Sequence, residues 1–88
     1  MSAYEVRLSR SAQRDLSSLP EKVRHVALEF VFGPLAENPH RVGAPLSAPL
    51  EGQYEAVRGS YRVTYRIVEA QVVVEVVRVA HRSDVYRP

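Results

Sequence analysis

Polar and apolar positions alternate most cleanly between Tyr61 and Val68: Tyr61, Val63, Tyr65 and Ile67 fall on one side, and Arg62, Thr64, Arg66 and Val68 on the other. That is the period of a strand with one buried face, so arginine is expected to line the face opposite the core. The next run, Val72 to Ala80, is nearly all valine and reads as a strand covered on much of both sides, central in its sheet. Together they predict a hairpin. With Glu69 and Ala70 as its turn, Val68 opposes Gln71, Arg62 opposes Val77, and Glu75 opposes Thr64 while lying diagonal to Arg62 and Arg66. The same register places His81 opposite Arg58 on the Arg62 side, so two guanidiniums and an imidazole are expected to meet at one end of the sheet. A slip of one residue would reverse every face.

Upstream, Tyr4 to Leu8 alternates Tyr4, Val6 and Leu8 against Glu5 and Arg7, which predicts a short strand at or near a sheet edge. Ser9 is placed to cap a helix whose apolar stripe is Ala12, Leu16 and Leu19 and which ends near Ser17 and Ser18. Pro20 and Glu21 then suit the first turn of a second helix, with Val23, Val26, Ala27, Phe30 and Val31 on one side. Pro34 clashes with the carbonyl of Phe30, so a kink or new turn is expected to run to about Glu37, where Asn38 and Pro39 stop it. Pro39 to Pro49 reads as an irregular surface loop and Gln53 to Val57 as a strand between Gly52 and Gly59. The order β-α-α-β-β-β predicts an α+β layer pair: two N-terminal helices on one face of a mainly antiparallel four-stranded sheet, the other face open.

Length and composition narrow the picture. The 88 residues suffice for one small domain, and 45% apolar with 25% charged residues is ordinary for a folded globular chain. There is no cysteine, which excludes disulfides and thiol chemistry. No apolar run approaches a membrane span, the N-terminus lacks an apolar leader, and a cytoplasmic protein is expected. The net charge is only +2, but the cations are eleven arginines and one lysine, Lys22. Between Ala56 and Pro88 six arginines stand against three acids. A guanidinium is a planar fork that fits phosphate through two hydrogen bonds, whereas an ammonium is a point charge.

The elements Leu50-Glu51-Gly52-x-Tyr54, Gly59-x-Tyr61-Arg62-Val63-x-Tyr65 and His81-Arg82-Ser83-Asp84-Val85-Tyr86, with the helix restart Leu19-Pro20-Glu21-Lys22, span nearly the whole chain. In their order and spacing the chain resembles the RelE toxins of the RelE/ParE superfamily. The resemblance implies a RelE-like fold and the toxin of a bacterial type II toxin-antitoxin pair. It further implies a ribosome-dependent endoribonuclease that cleaves translated mRNA in the A site and a cognate antitoxin that silences it in a hetero-oligomer. By the same resemblance Arg62 binds the scissile phosphate, His81 or Arg82 lies close by, and Tyr86 orients the target base or assists the 2′-hydroxyl. The chain departs from the pattern at Glu55, Ala56 and Val57, where many active members carry Lys or Arg. Either Arg58 substitutes from a shifted position, or the site is weaker than usual.

RNA cleavage without metal or cofactor needs a base for the 2′-hydroxyl proton, cations for the charge growing on the phosphoryl oxygens, and a proton source for the leaving oxygen. Arg58, Arg62 and Arg82 are the candidate cations. His81 is the candidate general acid or base, an imidazole's ordinary pKa of about 6.5 being suited to either task. Tyr86 is placed to stack on a base. His25 and His40 are expected to face solvent, Tyr61 and Tyr65 to lie in the core, and Arg66 and Arg78 to pair with Glu75 or Glu69. Three scattered histidines do not suggest a structural zinc site. Two competing functions are a ParE-like protein that inhibits DNA gyrase without catalysis, and a degenerate toxin that only binds its antitoxin.

Overall fold

The computed structural model describes residues 3–81. Strand β1 (Glu5–Leu8) leads into helix α1 (Arg10–Ser18) and helix α2 (Glu21–Phe30), which runs on into a π-helical turn, Val31–Leu35. A short helix α3 (Pro39–Val42) and a two-residue strand β2 (Ala44–Pro45) precede β3 (Gln53–Arg58), β4 (Tyr61–Val68) and β5 (Val73–His81). The sheet has the order β1-β5-β4-β3-β2, with β1 parallel to β5 and the other neighbours antiparallel. The α+β architecture is the expected one. It gains a fifth strand and a third helix from Pro39–Pro45, a stretch whose prolines and glycine read as a loop.

Each helix boundary has a local cause. Ser9 Oγ accepts the Ala12 N–H at 3.0 Å, capping α1, and Ala12, Leu16 and Leu19 are buried as the stripe requires. The widened π turn accommodates Pro34, which has no N–H to offer the preceding turn and whose ring an α-helix cannot accept. Val31 and Leu35 in that turn are fully buried, whereas Val26, expected in the core, is 52% exposed. The core lies between the helices and one face of the sheet, where α1, α2 and the π turn pack on Ala56, Tyr61, Val63, Tyr65, Val74, Val76 and Val79.

The hairpin register differs from the expected one. Glu69 and Ala70 provide neither the glycine nor the asparagine of a two-residue primed turn. The chain instead makes a longer connection, a 3-10 turn over Glu69–Gln71 closed by Val72 in the left-handed region at φ 53. Val68 therefore pairs with Val73 rather than Gln71, and Glu75 with Arg66 rather than Thr64. A bulge follows: Tyr65 pairs with Val76 but Thr64 with Arg78, leaving Val77 as the extra residue. Ser9 holds this point, its N–H donating to the Val76 carbonyl at 2.9 Å and its hydroxyl to the Val77 carbonyl at 2.7 Å. Beyond the bulge Arg62 pairs with Ala80, not Val77, and Tyr61 with His81.

Past Leu8 no strand among the described residues lies beside the outer edge of β5, and Asp15 of α1 takes over. Its carboxylate accepts the Val79 N–H at 2.8 Å and two hydrogen bonds from Arg78, at 2.8 and 3.2 Å. Asp15→Ala leaves a part-buried strand N–H without its acceptor and is expected to lower stability by about 1–3 kcal/mol. Arg78→Ala, which removes only an exposed partner, is expected to cost less than about 1 kcal/mol. Thermal unfolding of the two variants checks the ranking.

Candidate nucleic-acid interface

The β3–β4 turn decides which arginines share a face. Gly59 and Ser60 form a two-residue loop with Gly59 at φ 57, the positive φ that the first central position of a type II′ turn demands. Arg58 is thereby paired with Tyr61, and Val57 with Arg62. Paired residues point to the same side of a sheet and successive residues to opposite sides. Arg58, Tyr61 and His81 thus form one row on the helix-covered face, while Val57, Arg62 and Ala80 form the next row on the open face.

The expected convergence of Arg58, Arg62 and His81 is corrected accordingly. Arg58 lies on the helix side, its guanidinium 4.9 Å from the centre of the Phe30 ring and donating to the carbonyls of Val42 at 2.9 Å and Val57 at 2.8 Å. His81, the last residue of β5, lies opposite Tyr61 rather than Arg58. Two local causes combine in this result: the longer turn and the bulge shift the end of β5 by three positions in all, and the two-residue Gly59-Ser60 turn puts Arg58 in the Tyr61 row. Arg82 and Tyr86 fall outside the described residues. Arg62 is where the alternation placed it, on the face opposite the core.

The open face around Arg62 is charged but balanced. Arg62 pairs with Glu55 at 3.5 Å, Arg66 with Glu75 at 3.5 Å and Arg7 with Glu5 at 3.4 Å. The expected Glu75–Arg66 contact is present, but Glu75 serves Arg66 alone of the two arginines it was expected to bridge, and Arg78 turns to Asp15 rather than to Glu75 or Glu69. On either side Arg62 is flanked by the uncharged Val57 and Ala80. The Arg62 side chain is 42% exposed, and a guanidinium offers the planar fork that a two-pronged anion takes.

On the other face a groove of about 590 Å³ opens between α2 and the β3–β4 turn, lined among others by Lys22, Val23, Val26, Phe30, Arg58 and Tyr61. Tyr61 is held here edge-on to Phe30, and burial raises its phenol pKa while Arg58 opposes the rise. At the far end of the same face lies a cluster that strand periodicity could not reveal. Glu69 accepts from the Tyr4 hydroxyl at 2.7 Å and pairs with His40, and these contacts pull its carboxyl below the usual range. His40 in turn meets Tyr54, and Tyr54 stacks on Tyr65. His40 is exposed as expected, yet it has a partner. Among the described residues no three His, Asp or Glu side chains gather as metal ligands would.

Glu55 is the site residue that the sequence pattern passed over. Its signal was present: reading Gly59-Ser60 as a two-residue turn pairs Val57 with Arg62 and sets Glu55 diagonal to it.

Comparison with known proteins places this geometry in a family. Residues 6–86 match the profile described as the ParE toxin of the type II toxin-antitoxin system, parDE. Toxin RelE of Mycobacterium tuberculosis is 50% identical over 84 residues, 96% of this chain and 87% of that protein. Toxin RelG of the same organism is 45% identical over 84 residues, covering 96% of this chain and 97% of that protein. The toxin-antitoxin complex RelBE2 of M. tuberculosis contains a chain that superposes with a TM-score of 0.90 at 43% identity, over 92% of this chain and 100% of that one.

Proposed function

Because this chain belongs to the ParE toxin family of type II toxin-antitoxin systems, we propose that it is a ribosome-dependent, metal-independent endoribonuclease that cleaves translated mRNA in the A site. The observation that carries this reading is Arg62, held on the open face of the sheet between Val57 and Ala80 with its guanidinium partly exposed. Similarity to toxins RelE and RelG supports the target class.

In the proposed reaction the 2′-oxygen bonds to phosphorus as its proton passes to a base, and the phosphorus–O5′ bond breaks as that oxygen gains a proton. Arg62 donates to the non-bridging oxygens as charge gathers on them. Arg82 and Tyr86 are proposed to complete the site, as second cation and base-stacking ring; His81, expected from the sequence as proton carrier, stands in the Tyr61 row on the face opposite Arg62 and is not assigned to it. Arg58 is left out of that set, because its guanidinium is engaged on the helix face.

A cognate antitoxin is the proposed partner, supported by the toxin-antitoxin complex that this chain resembles. An acidic segment that orders on binding would match the arginine-rich surface. Among the described residues no helix is long and apolar enough to cross a membrane. Translated mRNA as the proposed substrate supports a cytoplasmic location.

The test is primer extension on translated mRNA after induction. Cleavage within codons at the A site is expected, and intact transcripts would exclude the nuclease. Inhibition of supercoiling by purified gyrase, with intact transcripts, would identify the ParE-like activity instead.

A further inference from the structure

Among the described residues each arginine on or reaching around the open face has a carboxylate, but Asp15 and Glu55 hold theirs very differently. Asp15 grips Arg78 through two hydrogen bonds and takes the Val79 N–H besides. Glu55 meets Arg62 through a single contact at 3.5 Å, the outer limit of a hydrogen bond, with the two side chains 28% and 42% exposed. Glu55 directly opposes the uncharged Thr64 and reaches Arg62 only along the diagonal. Val57 and Ala80, directly beside Arg62, cannot hold a guanidinium. Among the described residues, the carboxylate in contact with the Arg62 guanidinium is thus a weakly seated one.

We propose that Glu55 is a built-in competitor for phosphate at Arg62: in the resting protein its carboxylate occupies the guanidinium, and an RNA phosphate binds by displacing it. This rests on the reading that Arg62 takes an RNA phosphate. Through Nη1 the Glu55 carboxylate takes one corner of the fork that a two-pronged phosphate needs, and a carboxylate left near that corner lies within a side-chain length of the phosphate, where like charges repel. The consequence is a phosphate site too weak to hold free RNA by itself. It becomes occupied where other contacts supply the remaining affinity.

The probe is an all-2′-O-methyl hexanucleotide, which lacks the attacking hydroxyl, titrated into the whole protein and followed by backbone amide and arginine Nε shifts. Wild type is compared with Glu55→Gln, Arg62→Gln and the double variant. Glutamine keeps the size of the side chain and removes its charge. Glu55→Gln is expected to tighten binding about tenfold, and by less than about twofold when Arg62 is already Gln, because coupled residues are non-additive. No tightening in Glu55→Gln, or equal tightening in both backgrounds, overturns the inference; the second result would be a general charge effect. If Arg62→Gln weakens binding while Glu55→Gln leaves it unchanged, the phosphate role of Arg62 stands and only the competitor is lost. If Arg62→Gln binds like wild type, Arg62 is not the phosphate ligand and both readings fall. A Glu55→Gln variant that binds more tightly yet cleaves translated mRNA more than tenfold slower also overturns it, since Glu55 would then take part in the chemistry.

Discussion

Arg62→Ala is expected to lower the rate of A-site mRNA cleavage by about 10²–10³-fold, the usual loss when one preorganised donor to a developing oxyanion is removed. The loss should appear in turnover and leave the fold intact. Arg62 is partly exposed, and its contact with Glu55 is a single one at 3.5 Å. Partly exposed pairs of this kind contribute no more than about 1 kcal/mol. Arg62→Lys is expected to recover only part of the activity, since an ammonium keeps the charge but not the fork. Primer extension at matched protein levels, with a melting curve for each variant, separates the two effects. Full activity in Arg62→Ala would remove the assigned role.

Tyr65 carries the largest expected effect on stability. Its side chain is fully buried, stacks on Tyr54 with ring centres 5.6 Å apart, and donates its hydroxyl to the Pro39 carbonyl at 2.6 Å. It thus ties the sheet to the start of α3. Tyr65→Ala is expected to cost about 3–5 kcal/mol through the cavity it leaves, a large share of the about 5–15 kcal/mol that a domain has in total. Tyr65→Phe keeps the ring and strands the Pro39 carbonyl, for about 1–3 kcal/mol. Gly43 belongs to the same contact: a Cβ there would strike the Tyr65 hydroxyl and come within 2.8 Å of the Glu55 carbonyl oxygen.

The same residue gives the fold an alkaline limit. Burial pushes the Tyr65 phenol up to about 12, against an ordinary value of 10.0. The folded state thus holds this proton more tightly than the unfolded chain does. The stability linked to it is complete below pH 10 and is lost as pH rises from about 10 through about 12. Tyr61, whose pKa burial also raises, adds to the trend in the same direction. Circular dichroism between pH 8 and 12 is expected to show loss of structure in that window, with a shallower pH dependence in Tyr65→Phe. An identical dependence in the two proteins would show that the buried phenol is not responsible.

Much of the architecture could be read from local pattern. The alternation through β4 put Tyr61, Val63 and Tyr65 in the core and Arg62 on the open face, because strand periodicity needs only the residue and its neighbours. Ser9, Pro20 and Pro34 marked helix boundaries for equally local reasons, a side-chain acceptor in one case and a missing N–H in the others. The Pro39–Pro45 stretch was harder. Its α3 and β2 are a few residues long and exist through partners distant in sequence, the Tyr65 hydroxyl and strand β3.

The residue sequence by itself determined the strand periods, the helix ends and the excess of arginine, since each follows from the chemistry of neighbouring side chains. Only the tertiary structure decided which of those arginines act together. A four-residue β4–β5 connection and a bulge anchored by Ser9, some 68 residues away from Val77, set the pairing of β5. The tight Gly59-Ser60 turn set that of β3. Facing is a matter of parity, and an odd shift in either register sends a side chain to the opposite side of the sheet. That is why Arg58 and Arg62, four residues apart in the chain, lie on opposite faces, and why Glu55 is the residue that Arg62 meets.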